Sequence, residues 1–284
     1  MSKMKLSDFA TNYKPDWCPG CGNYGLWQAL KQALVELDAD PGETVLVAGI
    51  GCHGHINNFT KVSSFEGLHG RPIPVAVGVK LANRKLNVIV STGDGDCLGE
   101  GGNHFIHACR RNHDLTVILH NNSSYSLTTG QASPTSPQGY KSKSTPFGKL
   151  QKPFNPLALA LVSGAGFVSR GFTGDPIHLT EIFKKAISHK GFSVVDVLQP
   201  CVVFNKQFTF AYFREKIEKI GKICQSREEA LKMVLAIEEK ISTGVFYQGE
   251  EASYEEKVVG IKEKSLVDQP LIGYNWEELV REFY

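Results

Sequence analysis

Two short runs in this chain have the residue types to hold a phosphorylated ligand: Gly93-Asp94-Gly95 and Asn121-Asn122. A diphosphate is usually bound through a divalent cation. Mg²⁺ takes oxygen ligands in octahedral geometry, a few from the protein and the rest from phosphates and water. Asp94 offers a carboxylate, Asn122 an amide oxygen, and the backbone carbonyl of Ser124 could be a third ligand. Asp94 and Asn122 stand 28 positions apart. The flanking glycines let the backbone approach phosphates closely, and Gly101-Gly102 opens a helix whose N-terminus would favour them. As isolated motifs, the two runs could equally be unrelated turns that need no ligand.

The seven cysteines are the second chemical signal. Cys18-Pro19-Gly20-Cys21 is a CxxC, which suits an iron–sulfur cluster, half a zinc site or structural cysteines. A zinc ribbon would need a second CxxC, which is absent. A thioredoxin-like dithiol would need a core strand before it, and Asn12–Trp17 is not one. Cys52 lies in GIGCHGH and Cys201 in QPCVVFN. Four thiolates suit a [4Fe–4S] cluster. Cys109 reads as packed core, Cys97 lies near the phosphate motif without having to be a ligand, and Cys224 falls in a charged segment. For most of the histidines a hydrogen-bonded structural role is the default.

The elements that must position these groups are legible as apolar runs. Thr44–Ala48, Asn87–Ser91, Leu115–Leu119 and Phe192–Leu198 read as buried strands. Helices are expected over Leu26–Leu37, Val75–Ala82, Gly102–Arg111, Pro156–Ser163 and Ile177–His189. Continuous apolar strands alternating with helices indicate an α/β fold, a parallel sheet with helices on both faces. In such a sheet, ligands bind beyond the carboxyl ends of the strands. Asp94, Asn122, Cys52 and Cys201 each follow a strand, so all four belong at one edge, where the CxxC loop could complete the cysteine set. The segment from Asn121 to Asn155 has no period, and loops of that length tend to be functional or disordered. Residues 1–210 read as the ligand-binding domain, and residues 211–284, charged and helical in pattern, as a C-terminal extension.

Lys and Arg total 31 against 29 Asp and Glu, a net charge of +2. That balance gives no reason to expect nucleic-acid binding. No apolar run approaches the roughly 20 residues of a membrane helix. The polar stretch from Met1 to Asp16 has no signal-peptide core, so a cytoplasmic location is expected.

In order along the chain, WCPGCGNYG, GIGCHGH, LHGRPIPVAVGVKLAN, STGDGD, GGNHFIHACRRN, LTVILHNN, LTTGQASPTS, NPLALALVSGAGFVSR and HKGFSVVDVLQPCVVFN resemble successive blocks of 2-oxoacid:ferredoxin oxidoreductase beta subunits. The resemblance spans Trp17 to Asn205. It implies a thiamine diphosphate-binding fold, with Cys18, Cys21, Cys52 and Cys201 on a [4Fe–4S] cluster and Mg²⁺ on Asp94, Asn122 and Ser124. It places Ile50, Gly51, Cys52, His53, Gly95, Asp96, Ser126 and Leu127 against thiamine diphosphate, with His69 near it. His55 falls where relatives carry Lys or Arg facing the substrate carboxylate. The implied reaction is coenzyme A-dependent oxidative decarboxylation of a 2-oxoacid, reversible as carboxylation, with electrons leaving through the cluster to ferredoxin. CPGCG favours 2-oxoglutarate, with pyruvate or a broad range also possible. A catalytic glutamate would come from an alpha subunit. Ser126 replaces a glycine of the family pattern and would be strained if that position needs a positive φ, and Glu100 replaces an apolar residue. The competing readings are a cluster-free thiamine-dependent decarboxylase or acetolactate-synthase relative, and a zinc-binding scaffold.

Overall fold

A computed structural model describes residues 4–236, 239–270, 275–281 and 283. Its first half runs α1 (Gly22–Glu36), β1 (Thr44–Ala48), α2 (Ile56–Phe59), β2 (Ser63–Glu66), α3 (Pro72–Ala82), β3 (Asn87–Gly93), α4 (Gly102–Arg111) and β4 (Thr116–Asn121). A long loop leads to α5 (Pro156–Val162), β5 (Phe167–Phe172), α6 (Pro176–Ser188) and β6 (Ser193–Leu198). The C-terminal part adds α7 (Phe210–Lys216), β7 (Ile217–Lys219), α8 (Arg227–Leu235), β8 (Ile241–Gln248), α9 (Tyr254–Lys257) and α10 (Trp276–Arg281).

Eight strands form one sheet in the order β2-β1-β3-β4-β6-β5-β8-β7. Every pairing is parallel except β5 with β8. The four strands expected from their apolar runs are β1, β3, β4 and β6, and they are consecutive neighbours at the centre. β1, β4 and β6 are buried at every residue, as a strand covered on both faces must be. Alternate residues feed two cores. Val45, Val88, Val117 and Val194 pack with Phe105 of α4 and Leu157 of α5. Leu46, Ile89, Ile118 and Val195 pack on the other face with Leu30 of α1 and Phe183 of α6.

The expected helices are all present, and their starts carry recognisable signals. Asn155 and Asp175 cap α5 and α6 through their side chains, each followed by a proline in the first turn, where the missing N–H costs nothing. A π-helical turn at Gly95–Glu100 joins β3 to α4.

The expectation of a helical extension after residue 210 needs correction. Helices α7 and α8 lie there, but the same stretch also supplies β7 and β8. β8 pairs antiparallel with β5 and sends the fully buried Phe246 into the same core as Phe105 and Val117. Alternating apolar residues in β8 are interrupted by Ser, Thr and Gly, which hid the strand. Ser126, for its part, is not among the non-glycine residues with positive φ; Ser123 and Thr129 are. The strain considered at Ser126 is therefore absent.

If β8 is part of the cooperative core, Phe246→Ala should destabilise the whole chain by about 3–5 kcal/mol in urea unfolding. A loss below about 1 kcal/mol would mark a loosely attached strand instead.

Candidate functional site: two cavities at the carboxyl edge of the sheet

The strands end almost level with one another. Ala48 pairs with Ser91, Gly93 with His120, and Asn121 with Leu198. The chain segments that follow β1, β3, β4 and β6 therefore emerge side by side. α1 precedes β1 and runs back along the sheet, so its N-terminus, with the CxxC before it, reaches the same edge. Gly22 seats it there: its N–H donates to the Pro200 carbonyl (3.2 Å), and a Cβ would lie 2.6 Å from Gln199. The CxxC turn closes through the Cys21 N–H on the Cys18 carbonyl (2.9 Å), with Gly20 at φ +79°, a conformation glycine adopts without penalty.

Two adjoining cavities open at this edge. The first, about 560 Å³ with the space it opens to solvent, is lined by Ile50, Gly51, Cys52, His53, His69, Asp94, Gly95, Asp96, Asn122, Ser124, Ser126 and Leu127. The second, about 770 Å³ with the space it opens to solvent, is lined by Cys18, Cys21, Cys52, Cys201 and His55, with Trp17 and Asp16 beside them. Every site residue expected from the sequence borders one or both. Cys52, Asn122, Ser126, Leu127 and Gln199 border both and form the common wall. Asn23, His120, Tyr125, Thr128 and Gln199 also line the first cavity and were not expected there. His120 directly precedes Asn121-Asn122 and Gln199 directly follows β6, so strand-end position alone could have flagged both.

In the first cavity two carboxylates have opposite surroundings. Asp96 is buried, and burial works to raise its pKa. The His53 ring and the Thr92 and Gly70 donors outweigh burial and hold it well below the usual carboxylate range. Its Oδ2 accepts from Thr92 Oγ1 (2.6 Å); its Oδ1 accepts from the Gly70 N–H (2.7 Å), from His69 Nδ1 (2.6 Å) and from the Ile50 N–H (3.2 Å). His53 Nε2 faces the Gly93 N–H at 3.1 Å and Asp96 Oδ2 at 3.7 Å. Asp96 thus ties together the segments after β1 and β3 and the Leu68–Gly70 turn. Gly95 must be glycine, because the Tyr125 ring lies 2.3 Å from where a Cβ would be.

Asp94 is equally buried but has no ion-pair partner among the described residues. Burial raises its carboxyl to about 6, against the pull of two hydroxyls. Those donors, Ser133 Oγ and Thr135 Oγ1, are both 2.5 Å from Oδ2. They come from the aperiodic loop after β4, which folds back over the site. Thr135 Oγ1 also lies 2.9 Å from Asn121 Oδ1, Asn121 Nδ2 donates to Asp196 Oδ1 (2.9 Å), and Asp196 Oδ2 accepts from Arg170 Nε (2.9 Å). Asn122 Oδ1 accepts the Ser124 N–H (3.0 Å) and its carbonyl accepts Asn205 Nδ2 (2.9 Å), fixing both Asn122 and the start of the loop. A buried carboxylate without a counter-charge, beside a held amide oxygen, is an oxygen donor set that fits a hard divalent cation. The buried Asn23 Nδ2 and Ser126 Oγ have no hydrogen-bond partner in the protein. Both line the same cavity, as expected of groups left for a polar ligand.

In the second cavity the thiols are held near one another. Burial, followed by the closeness of Cys201 and Cys18, pushes the Cys21 thiol up to about 11. Burial and its three cysteine neighbours do the same to Cys52. Yet among the described residues no three Cys, His, Asp or Glu side chains converge on a point that one metal ion could occupy, as a zinc site requires. Four thiols bordering one cavity are a donor set that fits a polynuclear cluster. Cys97 and Cys109 are packed in the apolar core. His55 Nδ1 donates to Asp16 Oδ1 (3.0 Å) at the cavity rim.

Comparison with known proteins now bears on the whole chain. Residues 49–197 match the thiamine pyrophosphate enzyme C-terminal binding domain, and residues 201–263 the C-terminal part of the pyruvate ferredoxin oxidoreductase beta subunit. The chain is 46% identical over 270 residues to a 2-oxoacid:ferredoxin oxidoreductase subunit beta of Saccharolobus solfataricus, covering 90% of this chain and 88% of that one. The chain belongs to the 2-oxoacid:ferredoxin oxidoreductase beta subunits. A second relative, 2-oxoacid:ferredoxin oxidoreductase 1, subunit beta, of Aeropyrum pernix, is 42% identical, covering 95% of this chain and 89% of its own. The structure superposes with a TM-score of 0.92 and 32% identity on a 2-oxoglutarate:ferredoxin oxidoreductase from Magnetococcus marinus with 2-oxoglutarate, coenzyme A and succinyl-CoA bound, covering 100% of this chain and 97% of that one. The central strands, the glycine-flanked aspartate and the loop that folds over it are thus features of a thiamine-binding oxidoreductase subunit.

The Asp94 environment has a measurable consequence. Its folded-state pKa of about 6 lies above the ordinary value near 4, so the folded chain binds this proton more tightly than the unfolded chain. Between those values stability falls as pH rises. Cofactor-free Asp94→Asn should therefore melt above wild type at about pH 7.5, by up to about 3 kcal/mol, with the gap closing toward about pH 4.5. Identical melting at both pH values would show that the buried charge imposes no such cost.

Proposed function

We propose that this beta subunit binds thiamine diphosphate, Mg²⁺ and one [4Fe–4S] cluster and catalyses, with an alpha subunit, the coenzyme A-dependent oxidative decarboxylation of a 2-oxoacid. Products are acyl-CoA and CO₂, electrons leave to ferredoxin, and the reaction is reversible as carboxylation. 2-Oxoglutarate is the favoured substrate, with pyruvate or a broader range next. The observation that carries this reading is the common wall: the cavity holding Asp94 and Asn122 and the cavity holding four cysteines touch through Cys52, Asn122, Ser126, Leu127 and Gln199.

Bound thiamine diphosphate supplies the chemistry that breaks the bond to the departing carboxylate and stores the resulting electrons. The chain's own residues anchor and orient. Asp94, the Asn122 amide and the Ser124 carbonyl would hold Mg²⁺ and through it the diphosphate. Ile50 to His53, Gly95, Asp96, Ser126 and Leu127 would border the cofactor. Asp96 fixes His69 toward it through the 2.6 Å hydrogen bond. Cys18, Cys21, Cys52 and Cys201 would carry the cluster, one wall away, so electrons need cross only that wall. His55 would face the substrate carboxylate, with a charge that depends on pH and on its partner Asp16.

Among the described residues no glutamate lines the first cavity, and thiamine chemistry requires one against the cofactor's aminopyrimidine, so an alpha partner would supply it. Ile50 and Leu127 are also exposed at the cavity mouth, where a partner would cover them. Among the described residues no helix is long and apolar enough to cross a membrane.

Anaerobic co-purification of alpha and beta chains should yield a brown complex with iron and acid-labile sulfide that reduces a viologen dye only when 2-oxoacid and coenzyme A are both present. 2-Oxoglutarate is expected to outperform pyruvate. Full turnover by the beta chain alone, or a colourless complex, would contradict the proposal. In the same assay His55→Leu should raise KM for the 2-oxoacid about tenfold, the weight of one charged contact, and change kcat less. An unchanged KM would remove His55 from the substrate site.

A further inference from the structure

Gln199 is the polar side chain that reaches from one cavity to a thiol of the other. It is 2% exposed, and its backbone N–H donates to the Asn121 carbonyl (2.9 Å), which fixes its position. Its Oε1 lies 3.2 Å from His120 Nδ1, and its Nε2 lies 3.8 Å from Cys21 Sγ. Which end of the amide faces the sulfur is decided by His120. Nδ1 faces two side-chain oxygens, Asn23 Oδ1 (3.0 Å) and Gln199 Oε1, while Nε2 faces the Ser91 hydroxyl (2.9 Å). Two oxygens facing Nδ1 call for a hydrogen there, shared between Asn23 Oδ1 and Gln199 Oε1, with the Ser91 hydroxyl donating to Nε2. The amide N–H₂ group must then point at Cys21.

We propose that Gln199 is a positioning residue that donates Nε2–H to Cys21 Sγ and raises the reduction potential of the cluster, with His120 in the thiamine cavity holding the amide in that orientation. This rests on the reading of Cys21 as a cluster ligand. Hydrogen bonds to ligand sulfurs help set the potential of iron–sulfur clusters, because a donor stabilises the extra negative charge of the reduced state. The Phe204 N–H plays the same part at Cys201 Sγ, at 3.4 Å, but it is backbone and cannot report on the neighbouring cavity. Gln199 can, because anything that moves His120 releases its amide. The cluster would then be tuned for the electron it receives by the state of the cavity that supplies it.

The test uses the complex of this chain with its alpha subunit, purified without oxygen, in wild-type, Gln199→Leu and Gln199→Glu forms. Iron and sulfide are measured first, and each cluster is then titrated reductively under electron paramagnetic resonance. At the wild-type midpoint the reduced-to-oxidised ratio should fall about fivefold in Gln199→Leu, the weight of one net hydrogen bond. It should fall further in Gln199→Glu, which sets a carboxylate against the sulfur. If Gln199→Leu fails to assemble a cluster, Gln199→Glu decides. Midpoints equal to wild type, or higher, would overturn the proposal. So would loss of the cluster in both variants, which would make Gln199 a builder of the site and not a tuner. A wild-type complex without iron and sulfide would take down the cluster assignment itself, a separate failure read before any titration.

Discussion

The site depends on a topological constraint: neighbouring parallel strands that end at the same level. Four apolar strands lie side by side, and each hands its chain to a turn at one edge. Backbone beyond a strand end is free of the ladder and can bend around a ligand. That geometry brings Cys52, Asp94, Asn122 and Cys201 together although they are spread over most of the chain. The helix that returns along the sheet adds Cys18 and Cys21 by presenting its N-terminus to the same edge. The two apolar cores that clamp the sheet supply the free energy that lets such polar groups be buried at all.

The arrangement stores an electrostatic cost on each side of one wall. Asp94 has hydroxyl donors but no ion-pair partner among the described residues, and Cys21 and Cys52 are raised to about 11 by burial and by one another. A buried anion or thiolate without compensation is unfavourable; a cation and a metal cluster would relieve each cost where it lies. Asp96 shows the contrast. With its donors built in, it is satisfied by the protein and acts as a strut. The chain of polar contacts from Asp94 through Thr135, Asn121 and Asp196 to Arg170 ties the Asp94 side of the site to β5 and β6, so the position of the carboxylate depends on the sheet.

The central sheet was legible in the sequence because its strands are unbroken apolar runs. β5 was not, because Arg170 and Gly171 interrupt it. The structure explains them: Arg170 sits opposite Asp196 in register and pairs with it, so a charge is paired inside the sheet. β2 was missed because it is an exposed edge strand with one apolar residue, and β8 because its alternation is broken. The motif residues could be assigned to an edge because each follows a strand. Thr135 and Ser133 could not, since a lone hydroxyl in an aperiodic loop carries no signal until the fold shows what it faces. Ser126 was legible in identity but not in conformation; the left-handed positions fall at Ser123 and Thr129 instead.

The most direct test of this account is anomalous diffraction at the iron absorption edge from crystals of the alpha–beta complex grown without oxygen. One compact group of iron peaks should appear within the cavity bounded by Cys18, Cys21, Cys52 and Cys201, with cofactor density across the Ser126–Leu127 wall. A lone metal ion there, or iron found only elsewhere in the complex, would contradict it.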